Sequence, residues 1–555
     1  MVGGCPPTVD TPSSGTMLNP QPSITALRDT FEWNIPEFYN VGVDTCDRWA
    51  DKTPHATAII DVRDERTNTY CFADLKALSN QYANVFARHA KTGDRIAVLL
   101  PQQVETAAAH IAITKMGCIA LPLTTLFGPD ALQHRLGDSQ AIPLITNCET
   151  VSKLNDITGE LPHLKAIYTV DGGSAFSLDM RPLAQAAPDT FDPIKTKADD
   201  PAFLIYTSGT TGNPKGALHA HRVLLGHLPG VEMSHDFLPQ AGDTFWTPAD
   251  WAWIGGLLDV LFPALHHGLP VVAHRFAKFT GEAAFDFIEA HGIRNAFIPP
   301  TALKMMRQAS NQRPLAMRSV ASGGETLGAE LINWGKQTFG TTINEFYGQT
   351  ECNMIVSSCC ALAPAEPGVM GFAVPGHTVE VLDAKNEPCP VETIGSIAVK
   401  APDPVMFLGY WNNPQATEQK FVTNSEGTWL LTGDTGQKTT SGRIRFIGRD
   451  DDVINSAGYR IGPGEIEDCL LTHPAVQLAG VIGTPDDTRG ERVTAFVALR
   501  DGQIESDALR TDIQTHVKSR LAAYEYPRDI HFTDDMPMTT TGKIIRAALR
   551  KRVRK

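Results

Sequence analysis

The sequence predicts an α/β protein in two parts: a large multi-layer N-terminal domain with mostly parallel sheets, and a small mobile α+β C-terminal domain. Three observations predict it. From about residue 45 to 450, short apolar runs alternate with longer amphipathic stretches, as strands joined by crossover helices do. At Gly448-Arg449-Asp450-Asp451-Asp452 the alternation stops at three consecutive carboxylates, and a new set of elements begins. A chain of 555 residues is also too long for one compact core.

The elements follow in order. Residues 1–30 read as a mobile leader, rich in proline and serine (Pro6, Pro7, Pro12, Ser13, Ser14, Pro20, Pro22) and free of Lys and Arg up to residue 27. In the large domain, 31–449, apolar strands are predicted at 95–100, 118–123, 142–146, 166–170, 203–206, 271–273 and 296–298, with helices at 74–90 and 104–115. The acidic triplet reads as an exposed junction, because three adjacent carboxylates do not pack in a core. Beyond it, 450–555 predicts helices at 465–471 and 506–521, strands at 478–482, 493–499 and 530–532, and a terminal helix after Lys543. The closing basic run, Arg550 to Lys555, reads as a solvated tail.

Composition narrows the function classes. A net charge of -14 argues against a general binder of nucleic acid or anionic membrane, so any polyanion must be held by local donors. No apolar run approaches the ~20 residues of a membrane span. Ten cysteines without a CxxC pair fit reduced thiols of a cytoplasmic protein better than a disulfide frame or zinc site. Cys352 has no evident partner as a nucleophile and reads as packing.

The chemistry concentrates after the strand at 203–206. There Thr207-Ser208-Gly209-Thr210-Thr211-Gly212-Asn213-Pro214-Lys215-Gly216 gathers four hydroxyls, glycines that turn amides inward, and one lysine. This is a phosphate-binding composition, although its spacing is not that of the GxxxxGK[ST] loop. The full string resembles the phosphate-loop signature of the adenylate-forming superfamily, which comprises acyl-CoA synthetases, peptide-synthetase adenylation modules and firefly luciferase. Five further segments resemble that family's motifs in the same order: Ser322-Gly323-Gly324-Glu325-Thr326, Tyr347-Gly348-Gln349-Thr350-Glu351, Thr432-Gly433-Asp434, Gly448-Arg449-Asp450-Asp451 with Gly458-Tyr459-Arg460-Ile461, and Met538-Thr539-Thr540-Thr541-Gly542-Lys543.

The resemblance implies an ATP-dependent acid–thiol ligase with Mg2+ as cofactor and ATP, CoA and a small carboxylic acid as partners. The acid attacks the α-phosphorus of ATP, so two anions must meet. Their repulsion is about 4 kcal/mol at ~4 Å and an effective dielectric of ~20, and placed donors must offset it. The resemblance gives Glu351 the metal and Thr350 the α-phosphate. It gives Lys543 both the carboxylate and the α-phosphate, Asp434 the ribose hydroxyls, and Arg449 the ribose and phosphates. Tyr347 would stack on adenine, with Gly324 and Glu325 lining the same slot. Asp451 matches the hinge about which the small domain turns between adenylation and thioester formation, and Gly458 would then face the thiol's path.

Trp253, Gly255, Gly323 and Gly348 complete an expected acyl and CoA channel. The Asp250-x-x-Trp253 spacing is similar to acetyl-CoA and medium-chain acyl-CoA synthetases. Acetyl-CoA synthetases carry tryptophan where this chain has Gly348, so the missing indole implies a deeper pocket. A medium-chain aliphatic or aryl-alkanoic acid is expected, and with no Lys or Arg evident in the wall, dicarboxylates are disfavoured. Transfer to a carrier-protein pantetheine and a non-catalytic nucleotide-binding regulator remain as alternatives. Intact Glu351, Asp434 and Lys543 weigh against the regulator. The sequence leaves monomer and homodimer equally open.

Overall fold

The structure is a computed structural model that describes residues 15–63, 66–207, 214–324, 327–450, 452–456, 459–486, 489–521, 525–539 and 543–553, with the side chains of 455, 459, 460 and 465 excepted. The described residues form four sheets. In the first, Arg95–Val98, Ile119–Pro122, Pro143–Thr146, Ala166–Thr169 and Pro201–Thr207 run parallel. They are buried along almost their whole length. That burial is what a parallel sheet covered on both faces requires. Helix Val104–Lys115 is buried all round, and its Lys115 is neutralised by Asp47 at 2.5 Å.

Pro201–Thr207 pairs antiparallel with Lys215–Ala220, Thr207 opposite Lys215, so the donor-rich loop leaves from the end of a hairpin. In the second sheet, Asn295–Phe297, Ser319–Gly323 and Ile343–Tyr347 are parallel neighbours, with Gly323 opposite Phe346. Gly323-Gly324 and Tyr347-Gly348 thus leave the carboxyl ends of adjacent strands, where ligands of open α/β sheets bind. Every strand predicted from sequence in these two sheets is present.

A third sheet was not anticipated. Val379–Leu382, Ile394–Ala401, Phe421–Asn424, Gly427–Lys438 and Ile444–Arg449 pair antiparallel and bring Asp434 opposite Arg449. The fourth sheet belongs to the C-terminal residues. The long hairpin of Val476–Asp486 and Gly490–Leu499 packs on helices Pro463–Leu471 and Asp507–Lys518 around Ile466, Leu470, Val481, Ile513 and Val517. No helix among the described residues is long and apolar enough to cross a membrane.

Three expectations are corrected. The leader is docked from Gly15 onward: Leu18, Ile24 and Leu27 are buried, and the amides of Met17 and Leu18 donate to the buried Glu232 carboxyl at 2.8 and 2.7 Å. Residues 1–14 lie outside the described residues. Within the acidic triplet, Asp452 is buried because Arg546 and Arg550 pair with it at 3.4 and 2.7 Å. Of the basic run, Arg550 is accordingly anchored in helix Arg546–Val553, which the buried Leu549 seats, while Lys551 and Arg552 are exposed as expected and residues 554 and 555 lie outside the described residues.

Candidate functional site

Glu351 follows strand Ile343–Tyr347 on a loop that ends at Met354. It is buried, and its Oε1 accepts from the Tyr410 hydroxyl. Burial, and then the neighbouring Glu351 carboxyl, push the Tyr410 phenol up, so it stays a donor. Lys215 stands over the same ring, its Nζ 5.2 Å from the centroid. The far end of the donor-rich hairpin and the Glu351 loop therefore converge on Tyr410, which sequence reasoning missed.

The second convergence is at Asp434. Its Oδ2 accepts from Tyr347 Oη at 2.6 Å, and its amide is held by Thr432 Oγ1 at 3.1 Å. Burial raises the Asp434 carboxyl, while the Tyr347 hydrogen bond and Arg449 oppose the rise. Gly433 (φ +78°) makes the turn, and a Cβ there would lie 3.9 Å from an Arg449 terminal nitrogen. Lys420, another residue the sequence did not single out, staples this turn to the Glu351 loop. Its Nζ donates to Gln349 Oε1 at 3.2 Å and to the carbonyls of Leu431 and Thr432 at 3.1 and 3.2 Å.

Lys543 lies between strand Asp529–Phe532 and helix Arg546–Val553 of the C-terminal residues. Its backbone closes on Thr539, amide to Oγ1 at 3.0 Å and carbonyl to amide at 2.7 Å. Its Nζ lies 3.7 Å from where a Cβ on Gly324 would stand. Gly324 has φ +98°, a region that a side chain resists. The lysine of the small domain is thus seated against the strand-end loop of the large one.

The expected acyl channel is aromatic. Trp253, half-buried, meets Phe127 edge-on at 5.8 Å. Phe297 lies 3.0 Å from the Cβ position of Gly255, and the Phe346 ring 2.6 Å from that of Gly323, with 5.2 Å between the two ring centres. One cation approaches this wall after all: the Arg135 guanidinium carbon is 4.0 Å from the Phe127 centroid, in cation–π contact with the ring.

Gly348 requires a correction. Its Cβ position falls 2.4 Å from the Met354 amide nitrogen and 2.7 Å from Asn353 Cα. The glycine is required by a close approach of backbone, and its missing side chain does not open a pocket floor. Cys352 is buried and its thiol pushed well up by burial, in keeping with a packing role. Ser208, Gly209, Thr210, Thr211, Gly212, Glu325, Asp451 and Gly458 lie outside the described residues.

Among the described residues no group of three or more His, Cys, Asp or Glu side chains forms a metal cage. A single oriented carboxylate, Glu351, does fit Mg2+ shared with phosphate oxygens, since that ion keeps most of its shell as water and phosphate.

The AMP-binding enzyme family model matches residues 46–411, and the AMP-binding enzyme C-terminal domain matches residues 465–543. The chain is 32% identical to the acetyl-coenzyme A synthetase of Bacillus subtilis (strain 168), covering 92% of this chain and 90% of that protein. It is 34% identical to the mitochondrial acyl-coenzyme A synthetase ACSM2B of Homo sapiens, covering 93% and 91%. Among solved structures, an anthranilate CoA ligase, AuaEII, in complex with anthranoyl-AMP superposes with a TM-score of 0.84 at 28% identity, covering 94% of this chain and 98% of that one.

Proposed function

The chain belongs to the AMP-binding enzyme family, and from that premise we propose that this AMP-forming acid–CoA ligase acts on a medium-chain aliphatic or aryl-alkanoic acid. The observation that supports the ligase reading is the seat of Lys543 against Gly324, the loop that the family resemblance gives to the nucleotide.

In the proposed reaction the acid carboxylate attacks the α-phosphorus of ATP, pyrophosphate leaves, and the CoA thiol then displaces AMP from the acyl-adenylate. Lys543 offsets the repulsion between carboxylate and phosphate in the first step. As a point charge on a flexible stem it serves both anions. Thr350 donates to the α-phosphate. Asp434, fixed by Tyr347, accepts from the ribose hydroxyls, with Arg449 beside it. Glu351 would hold Mg2+, which supplies charge neutralisation across the phosphates when bound. The loop from Thr207 to Lys215, including Ser208, Gly209, Thr210, Thr211 and Gly212, is assigned to the polyphosphate. Glu325 lines the adenine slot.

For the second step Lys543 must withdraw, and the family resemblance gives the hinge to Asp451 and the thiol's path to Gly458. The acid preference is supported by the aromatic wall of Phe127, Trp253, Phe297 and Phe346. A reduced cytoplasm as workplace is supported by the nine described cysteines, none of which forms a disulfide.

Purified protein incubated with ATP, Mg2+ and acids from two to twelve carbons, plus benzoate and phenylacetate, with and without CoA, tests this directly. AMP and acyl-CoA should form, with higher kcat/KM for six- to ten-carbon or aryl acids than for acetate. Pyrophosphate without acyl-CoA would assign the thioester step to a carrier protein. A preference for acetate would overturn the substrate class.

A further inference from the structure

The loop carrying Thr350 and Glu351 is tied at its far end to the helical segment that follows Trp253. Asn353, buried and two residues beyond Glu351, donates through Nδ2 to both carboxyl oxygens of Asp259, at 2.7 and 2.8 Å. The next residue, Met354, holds φ +59°, a left-handed conformation without a glycine. Its amide lies against Gly348, at the other end of the loop. A loop closed this tightly and in this conformation needs a fixed neighbour to keep its shape.

Asp259 is that neighbour. It sits in the π-helical turn Leu257–Leu261, an interruption of α geometry of the kind that gathers at functional sites. One turn earlier is Gly255, whose Cβ position is 3.5 Å from Asp259 Oδ2, so the same carboxyl backs the acyl wall. Across from it is His227, Nε2 3.8 Å from Oδ1. The other ring nitrogen, Nδ1, is 2.7 Å from the Val223 carbonyl, an acceptor, so it carries the hydrogen and Nε2 presents a lone pair. Burial pushes the Asp259 carboxyl well up and the His227 imidazole down to about 4, in the same sense. Both Asp259 oxygens therefore face the Asn353 amide, and Oδ1 stands beyond hydrogen-bond reach of His227.

We infer that Asp259 and Asn353 are positioning residues, which fix the Thr350–Glu351 loop against the acyl-pocket helix so that one buried hydrogen-bonded pair sets both the acid site and the nucleotide–metal site. The inference rests on the ligase reading above, and its test separates the two.

Calorimetric binding of Mg2+ with α,β-methylene-ATP, which needs no turnover, is measured for wild type, Asp259→Ala, Asn353→Ala and Asp259→Asn. Both alanine variants should bind about tenfold more weakly, as the loss of one buried hydrogen bond implies. Their KM for the acid should rise as well. Asp259→Asn should stay within about threefold of wild type, because its carbonyl oxygen still accepts from Asn353 in a side chain of the same shape. Unchanged nucleotide affinity in the alanine variants would overturn the inference, as would an Asp259→Asn variant as weak as Asp259→Ala. If Asp259→Ala fails to fold, Asn353→Ala and Asp259→Asn decide by the same criteria. A wild type that forms no acyl-CoA overturns the ligase reading alone. An active wild type whose variants bind normally overturns this inference alone.

Discussion

Glu351 takes its orientation from a phenol fifty-nine positions away in sequence, and that is the scale at which the site is most exposed to change. Tyr410→Phe removes a hydrogen bond to a charged group and little else. Such bonds contribute about 1.5–3 kcal/mol, so kcat/KM at limiting Mg2+ should fall about ten- to a hundredfold, and the melting temperature by a few degrees. An unaltered Mg2+ titration would remove Tyr410 from the site. Residues like this one were illegible in the sequence. Thr350, Glu351, Asp434 and Lys543 stand inside strings whose composition marks them. Tyr410 and Lys420 stand in ordinary surroundings, and acquire meaning only when distant strands bring them to Glu351, Gln349 and Thr432. The Tyr347–Asp434 pair, eighty-seven positions apart, joins two legible motifs by a contact that neither motif predicts.

Among the elements, the loop from Gly348 to Met354 is closely constrained by its backbone. Gly348→Ala would drive a methyl group to 2.4 Å from the Met354 nitrogen, against main chain that has no rotamer to yield. Overpacking of this kind costs about 1–3 kcal/mol. The variant should melt several degrees lower and lose nucleotide affinity, as differential scanning fluorimetry with and without MgATP would read. Wild-type behaviour in both would show that the loop can shift freely. The parallel strands were legible because burial on both faces leaves continuous apolar runs, as at Pro201–Thr207. The antiparallel third sheet was not, because strands such as Phe421–Asn424 are only partly covered and carry mixed side chains. The helix after Lys543 was anticipated, but not its anchoring. Arg546 reaches Glu467 at 2.6 Å as well as Asp452, partners that only the tertiary fold supplies.

For the whole molecule, the buried ionisable groups set a stability optimum. Burial holds His110 and His219 down to about 3 and His221 and His227 to about 4, against an ordinary 6.5. Unfolding lets them take up protons below about pH 6.5, so stability is lost on acidification. Glu232 and Glu345 are raised by burial to about 8 from 4.5. The folded state keeps their protons while the unfolded chain releases them, so stability is lost as pH rises from about 4.5 to about 8. Burial also holds His235 and His267 well down and Asp259 well up; the histidines outweigh the carboxyls below about pH 6.5, and the carboxyls dominate above it. The melting temperature should peak near pH 6.5 and fall by both pH 5 and pH 8.5; a steady rise across that range would contradict neutral burial of the two glutamates. Glu232 carries a consequence for biosynthesis as well. Its hydrogen-bond donors, the amides of Met17 and Leu18, leave the ribosome more than two hundred residues ahead of it. That segment must wait, unpaired, until helix Val223–Ser234 emerges, so this part of the interior closes late in translation and is open to chaperones until it does.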